Sequence, residues 1–175
     1  KPDIEKSEYF ITEACEYKRS FLWLNPHIGI VLNAELDHTD YYKDLFSVRT
    51  AFGEFAQKCR TVLYNGDDEG LRKAIKSEHV LSFGFSERND FRAVAAAADK
   101  DNVWSFNVSA SGLNLGRITL AVKGRHNAYN ALAAASAALT EGLAISEIEE
   151  GLKAFTGVKR RMEYLGEVKG AAVYT

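Results

Sequence analysis

The chain reads as an α/β protein, a mostly parallel sheet flanked by helices with a small antiparallel sheet appended. Three observations predict it. Over residues 8–83, apolar runs of strand length alternate with segments of helical period, the order that builds a parallel sheet. Over 91–122, three strand-like runs follow one another with turn residues and no helix between them. Over 128–155 the pattern returns to helix. With 175 residues, 46% hydrophobic and 26% charged, the chain fits one domain with a real core, or one domain plus the start of another.

The elements follow in order. Residues 8–14 read as a strand, and 20–24 as a short helical turn stopped by Asn25-Pro26. Residues 27–33 are nearly all apolar, which predicts a strand covered on both faces. Over 44–59, Leu45, Val48, Phe52, Phe55 and Ala56 recur at three- and four-residue steps and predict a helix. A strand at 61–64 closes at Asn65-Gly66, and Asp67 is the expected N-cap of a helix through Ile75. A short strand at 80–83 completes the alternating part. Strands at 91–97, 104–109 and 118–122 are separated by Asp99-Lys100-Asp101-Asn102 and Ser111-Gly112. An Ala-dense helix over 128–139 stops at Gly142, a C′ glycine. Ser146 and Glu149 predict a capping box for a helix through Phe155, and 162–175 reads as a hairpin across Lys169-Gly170. Phe52, Phe55, Trp104 and Phe106 fit core or sheet packing.

Composition excludes several classes. A net charge of −2 gives no reason to expect nucleic acid or an anionic membrane as a partner. No apolar run approaches the roughly 18 residues that span a bilayer, and no signal peptide opens the sequence. Cys15 and Cys59 form neither a disulfide framework nor a zinc motif, and reduced thiols suit a cytoplasmic protein. The ends, which lead straight into and out of apolar runs, read as those of a piece of a longer protein.

Chemistry concentrates where a buried apolar strand ends in Asn33-Ala34-Glu35-Leu36-Asp37-His38-Thr39-Asp40. The carboxyl ends of strands form the ligand crevice of an open parallel sheet. The run 9–12 leads in the same way into Glu13-Ala14-Cys15-Glu16, so two neighbouring strand ends would aim Glu13, Asp37 and His38 at one point. Oxygen ligands with one imidazole suit a hard divalent cation such as Mg²⁺ escorting phosphates; solvated loop residues are the other reading.

Three motifs together resemble the Mur ligase family, ATP-dependent enzymes that add amino acids to the peptidoglycan precursor. They are Glu13-Ala14-Cys15-Glu16-Tyr17 with Ser20-Phe21-Leu22; Asn33-Ala34-Glu35-Leu36-Asp37-His38-Thr39-Asp40-Tyr41; and Gly124-Arg125-His126-Asn127-Ala128-Tyr129-Asn130 with Gly157-Val158-Lys159-Arg160-Arg161-Met162-Glu163 after it. The resemblance implies a truncated, P-loop NTPase-like central domain. Residues 1–160 would be the ATP-binding domain without its N-terminal phosphate loop, and 161–175 its end and the start of a linker to a further domain. No G-x-x-x-x-G-K-[ST] occurs in the sequence. Within the family, the wording is most similar to the member that joins L-alanine to UDP-N-acetylmuramate. A relative that adds a whole tripeptide usually carries extra residues between these motifs, and this chain has none.

The implied cofactors are ATP and Mg²⁺, and the implied substrates of the parent chain are UDP-N-acetylmuramate and L-alanine. Catalysis would activate a carboxylate as an acyl phosphate, which needs alignment and charge neutralisation rather than covalent chemistry from the protein. By resemblance Glu13 and His38 hold the metal, with Asp37 or Asp40 as the acceptor that orients the imidazole. Glu16 is a second such acceptor or a solvated acid. Asn33 orients a substrate oxygen or braces the Asp37–His38 turn. His126 and Asn127 open the Ala-rich helix, and the resemblance gives Asn127 the adenine edge; an N-cap at Asn127 or Asn130 is the plainer reading. Arg161 matches the arginine that approaches the ATP phosphates, although Arg160 could as easily be that residue. Cys15 and Lys18 stand where relatives often carry Asp, and no counterpart of the family's modified metal-bridging lysine is clear near Arg49-Thr50-Ala51. A nucleotide-binding module that kept the fold and lost catalysis is the reading from another class; the presence of Glu13, His38, Asn127 and Arg161 argues against it.

Overall fold

The structure, a computed structural model, describes residues 8–158 and 164–174. Six strands form one sheet in sequential order: β1 (Ile28–Val31), β2 (Thr61–Asn65), β3 (Val80–Gly84), β4 (Phe91–Ala98), β5 (Val103–Ala110) and β6 (Leu113–Lys123). Pairing is parallel from β1 to β4 and antiparallel from β4 to β6. The expected antiparallel strands therefore extend the edge of the parallel sheet. The junction is thin, since β3 meets β4 at Phe83↔Phe91 and Gly84↔Arg92. A second sheet pairs β7 (Tyr164–Val168) with β8 (Ala171–Tyr174) across Lys169-Gly170.

Helices cover both faces. On one side lie α1 (Leu45–Lys58) and α2 (Glu69–Ala74), enclosing Val48, Phe55, Val62, Tyr64 and Leu71. On the other lie α3 (Arg125–Thr140) and α4 (Ile145–Ala154), enclosing Leu63, Phe83, Phe106, Ile118 and Leu132. Strand β2 sends Val62 and Tyr64 to the first core and Leu63 to the second, which is why its residues are all apolar in the middle. Each fully buried Leu, Val or Phe contributes roughly 1.5–3 kcal/mol. The alanines of α3 keep its backbone close to the sheet, and Ser136, the polar residue among them, satisfies its hydroxyl on Leu132 O at 2.7 Å.

Several local expectations are corrected. Residues 8–16 form neither helix nor strand, and Phe10 and Ile11 are 85% and 92% exposed. Among the described residues β1 pairs with β2 alone, so its outer edge gives the 8–14 run no ladder. As an edge strand, β1 is also shorter than its apolar run and leaves Ile30 half exposed instead of covered on both faces. The N-cap of α2 is Asp68, which accepts from the Gly70 and Leu71 amides; Asp67 is turned elsewhere. Helix α4 is capped two residues earlier than its Ser-x-x-Glu signal, at Ala144 rather than Ser146, with Glu147 accepting from the Ala144 amide at 2.8 Å. Gly124, not Asn127 or Asn130, stands at the N-cap of α3. Among the described residues no helix is long and apolar enough to cross a membrane.

Candidate active site

Two groups of polar side chains gather at the C-terminal ends of the parallel strands. The first is built around His38, in the loop between β1 and α1. A kinked 3₁₀ segment, Tyr17–Trp23, lies beside this loop, with Lys18 and Arg19 in left-handed conformation (φ 51° and 61°). Phe21 holds the segment in place: it is 1% exposed and stacks on Phe55 of α1 at 4.9 Å, with Phe52 edge-on at 5.4 Å. Arg19 adds an ion pair to Glu54 at 2.6 Å. The buried Tyr42 donates its hydroxyl to Glu16 O at 2.7 Å, tying the two loops together.

That scaffold brings Glu16 and Tyr17 against the imidazole. His38 Nε2 lies 3.4 Å from Glu16 Oε1, and the ring centroids of Tyr17 and His38 are 4.6 Å apart. Tyr17 in turn donates to Asp40 Oδ2 at 2.7 Å. His38 itself takes φ 53°, a conformation that costs a non-glycine residue about 1 kcal/mol or more. The Tyr41 and Tyr42 amides both donate to His38 O, and the His38 amide donates to Asp37 Oδ1 at 2.7 Å, which holds it there. The carboxylate facing the imidazole is therefore Glu16, while Asp37 and Asp40 are engaged elsewhere. Glu13 is exposed on the irregular segment before the 3₁₀ turn, and Asn33 Nδ2 reaches Glu35 Oε1 at 3.0 Å, a contact that braces the loop. Among the described residues no three His, Cys, Asp or Glu side chains converge as a complete metal cage.

The second group sits at the ends of β2 and β3 and the start of α3. Asp67 Oδ2 accepts from the Phe85 amide at 2.7 Å and the Tyr129 hydroxyl at 3.0 Å; Oδ1 accepts from Asn89 Nδ2 at 2.8 Å and the Ser86 amide at 3.2 Å. Burial pushes the Asp67 carboxyl up, but the donors at Ser86, Phe85, Asn89 and Tyr129 outweigh it and hold the group at about 2. Arg72 bonds Gly66 O through both Nε and Nη2 and also reaches Asn89 Oδ1 at 2.9 Å. Asn89 fills the space where Gly66 and Gly84 lack side chains: a Cβ on either would collide with its amide. In the first turn of α3, Asn127 Nδ2 donates to Lys123 O at 2.8 Å and its Oδ1 faces Asn130 Nδ2 at 3.4 Å, while His126 is exposed. Arg160 and Arg161 lie outside the described residues. Burial raises the Cys59 thiol to about 11, so it is inert.

Sequence reasoning missed Tyr17, Tyr42, Asp67 and Tyr129. The consecutive Asp67-Asp68 after a buried strand held a signal for one of them, because only one of two adjacent aspartates caps the helix and the other is free for another task.

Comparison with known proteins agrees with this architecture. The sequence profile of the Mur ligase middle domain matches residues 3–138. The chain is 38% identical over 175 residues to the UDP-N-acetylmuramate–L-alanine ligase of Alkaliphilus metalliredigens, covering 97% of this chain and 38% of that protein. The chain thus spans well under half the length of such curated relatives. The crystal structure of UDP-N-acetylmuramate-alanine ligase MurC from Thermotoga maritima shares the fold with a TM-score of 0.72 over 89% of this chain and 35% of that one, at 24% identity. The UDP-N-acetylmuramate:L-alanyl-γ-D-glutamyl-meso-diaminopimelate ligase of Neisseria meningitides aligns with a TM-score of 0.67 at 30% identity, over 81% of this chain and 44% of that one. The chain belongs to the Mur ligase family, whose middle domain it carries over most of its length.

Proposed function

We propose that this chain is the ATP-binding part of a ligase that joins L-alanine to UDP-N-acetylmuramate through an acyl phosphate. The observation that carries the reading is the 38% identity, sustained over 97% of the chain, to a ligase of that name.

The donor set around His38 fits a divalent cation. Glu16 Oε1 stands 3.4 Å from Nε2; a proton kept on that nitrogen beside the carboxylate would leave the Nδ1 lone pair to ligate, the arrangement in which a carboxylate behind a ligating imidazole fixes its tautomer. Glu13 supplies an exposed carboxylate, and Mg²⁺ needs only one or two protein ligands because it keeps waters and phosphate oxygens. His38 and Glu13 would hold the ion. When bound, Mg²⁺ neutralises phosphate charge as the carboxylate is phosphorylated. Tyr17 shields one face of the imidazole, and Asn33 holds the loop that carries it. Asn127 uses one N–H on Lys123 O and accepts from Asn130 Nδ2 at 3.4 Å, which leaves its other amide hydrogen and a second lone pair of its oxygen for an adenine edge, with exposed His126 beside it. Arg161, or Arg160, would meet the phosphates. Residues 1–160 serve as the ATP-binding domain in this reading, and 161–175 lead out of it.

A second reading, a ligase that recycles a tripeptide, is favoured by the likeness to the Neisseria enzyme. The test is Mg²⁺-dependent phosphate release from ATP by the full-length protein, with UDP-N-acetylmuramate and, separately, L-alanine, L-serine, glycine and the Ala-Glu-diaminopimelate tripeptide. Turnover with L-alanine is expected. Turnover with the tripeptide alone moves the protein to recycling, and none with any acceptor sinks both readings.

A further inference from the structure

Asp67 is engaged by donors from two separate segments, the β3–β4 loop and α3, and its placement gives it a role beyond cohesion. Its partners are the Phe85 and Ser86 amides just after β3, the Asn89 side chain in the loop before β4, and the Tyr129 hydroxyl in the first turns of α3. Three of these contacts tie strand ends and loops together. The fourth reaches across the sheet to the helix that carries His126, Asn127 and Asn130.

Helical geometry makes that contact specific. Arg125 and Tyr129 are four residues apart on one face of α3, and His126 and Asn130 are four apart on the adjacent face. Phe85 receives the first pair: its ring lies 4.6 Å from that of Tyr129, and the Arg125 guanidinium stands 5.2 Å above it. The Arg125 guanidinium is also 5.6 Å from the Tyr129 ring. Rings alone allow sliding and rotation, because dispersion is non-directional. A hydrogen bond from the end of the Tyr129 ring to a fixed carboxylate does not. With the packing of Ala128, Ala131 and Leu132 on the sheet, it fixes the first turns of the helix, and with them the direction in which His126, Asn127 and Asn130 point. Gly124 at the N-cap of α3 offers no side-chain bond, and the local bond of Asn127 to Lys123 O ties the helix only to the strand before it; the Tyr129–Asp67 bond ties its start to a different part of the sheet.

We propose that Asp67, acting through the Tyr129 hydroxyl, is a positioning residue for the base-binding end of the nucleotide site. The inference rests on the nucleotide reading of α3 given above. Asp67 touches no ligand in it; it acts by orienting residues that do. The consequence is a selective one: loss of the Tyr129–Asp67 bond weakens recognition of the base and leaves the phosphate end unaffected, since the phosphates are held elsewhere.

The experiment is equilibrium calorimetry on the full-length protein with ADP and with inorganic triphosphate as probes, on wild type, Tyr129→Phe, Asp67→Asn and Asn127→Ala. Tyr129→Phe removes one hydroxyl and keeps the ring packing, so it remains testable even if Asp67→Asn fails to fold. The expected result is ADP binding weakened about fivefold in Tyr129→Phe, a change of about 1 kcal/mol, with triphosphate binding unchanged. Equal weakening of both probes, or a lower melting temperature with no change in either, reduces Asp67 to a purely structural role and overturns the proposal. Asn127→Ala separates the two layers. If it weakens ADP while Tyr129→Phe does not, the positioning role falls and the nucleotide reading stands. If Asn127→Ala leaves ADP binding unchanged, the nucleotide reading falls and takes the positioning role with it.

Discussion

The loop after β1 and the turn after β2 both present carboxylates at the C-terminal edge of the same sheet, yet they are built in opposite ways. Around His38 the groups are partly exposed, the contacts are few, and the central residue is held in a left-handed conformation. Asp67 accepts from four donors, Asn89 is 6% exposed, and glycines at 66 and 84 let the chain close tightly. The difference follows from position in the sheet. β1 is an edge strand, so its loop packs against one neighbour and one short 3₁₀ segment; β2 is flanked on both sides and covered on both faces. An open, strained loop suits a residue that must exchange ligands, and a saturated turn suits one that must not move.

Substitutions sharpen this contrast, beginning with the largest effect. Asp67→Ala strands four donors from two segments, and the expected loss of stability is about 3 kcal/mol, read by urea unfolding of the full-length protein. His38→Ala should cost less than about 0.5 kcal/mol in the same assay. A loss below about 1 kcal/mol for Asp67→Ala would erase the distinction between the two regions. Activity should rank them the other way. His38→Ala is expected to lower phosphate release well over tenfold, at about 1.4 kcal/mol per decade, without unfolding the chain, and survival of activity would refute the metal assignment.

Acid offers a third comparison. The Asp67 carboxyl is held at about 2 against an ordinary 3.8. A lowered folded-state value means that its stabilisation is complete above about pH 4 and is lost as pH falls through 2. The pH dependence of unfolding over that window should lose about 1–2 kcal/mol from this group, and Asp67→Asn should flatten it; an unchanged slope would mean that the carboxylate carries no such weight. The smallest expected effect is at Asn33. If its amide only braces Glu35, Asn33→Ala should change stability by about 0.5 kcal/mol and turnover less than threefold. A larger fall in turnover would return Asn33 to a substrate role.

Much of the fold was legible because burial imposes period. The alternation of strand and helix, the apolar face of α1, the Ala-dense α3 and the turn at Lys169-Gly170 all follow from which residues must avoid water and which backbone positions need glycine. The run 8–14 reads as a strand for the same reason and is irregular in the structure: its residues have the apolar pattern, but a strand exists only where a neighbour supplies a ladder, and that is a non-local fact. The site shows the same division. Glu13, His38, His126 and Asn127 were visible as chemistry-bearing residues in recognisable motifs. Glu16, Asp37 and Asp40 all stood as possible partners of the imidazole, and that Glu16 is the one facing it was not decided, because chain proximity says little about which carboxylate a kinked 3₁₀ segment carries inward.

What the sequence by itself determined, then, is the kind of protein: an α/β sheet, a family, and the chemistry-bearing residue types that its motifs carry. Those follow from local periodicity and from short motifs, which are properties of neighbouring residues. Tertiary structure alone decided the partnerships, Glu16 with His38 across 22 positions of chain and Asp67 with Tyr129 across 62. Such pairings depend on how separate elements pack, and packing is settled only when the whole core closes.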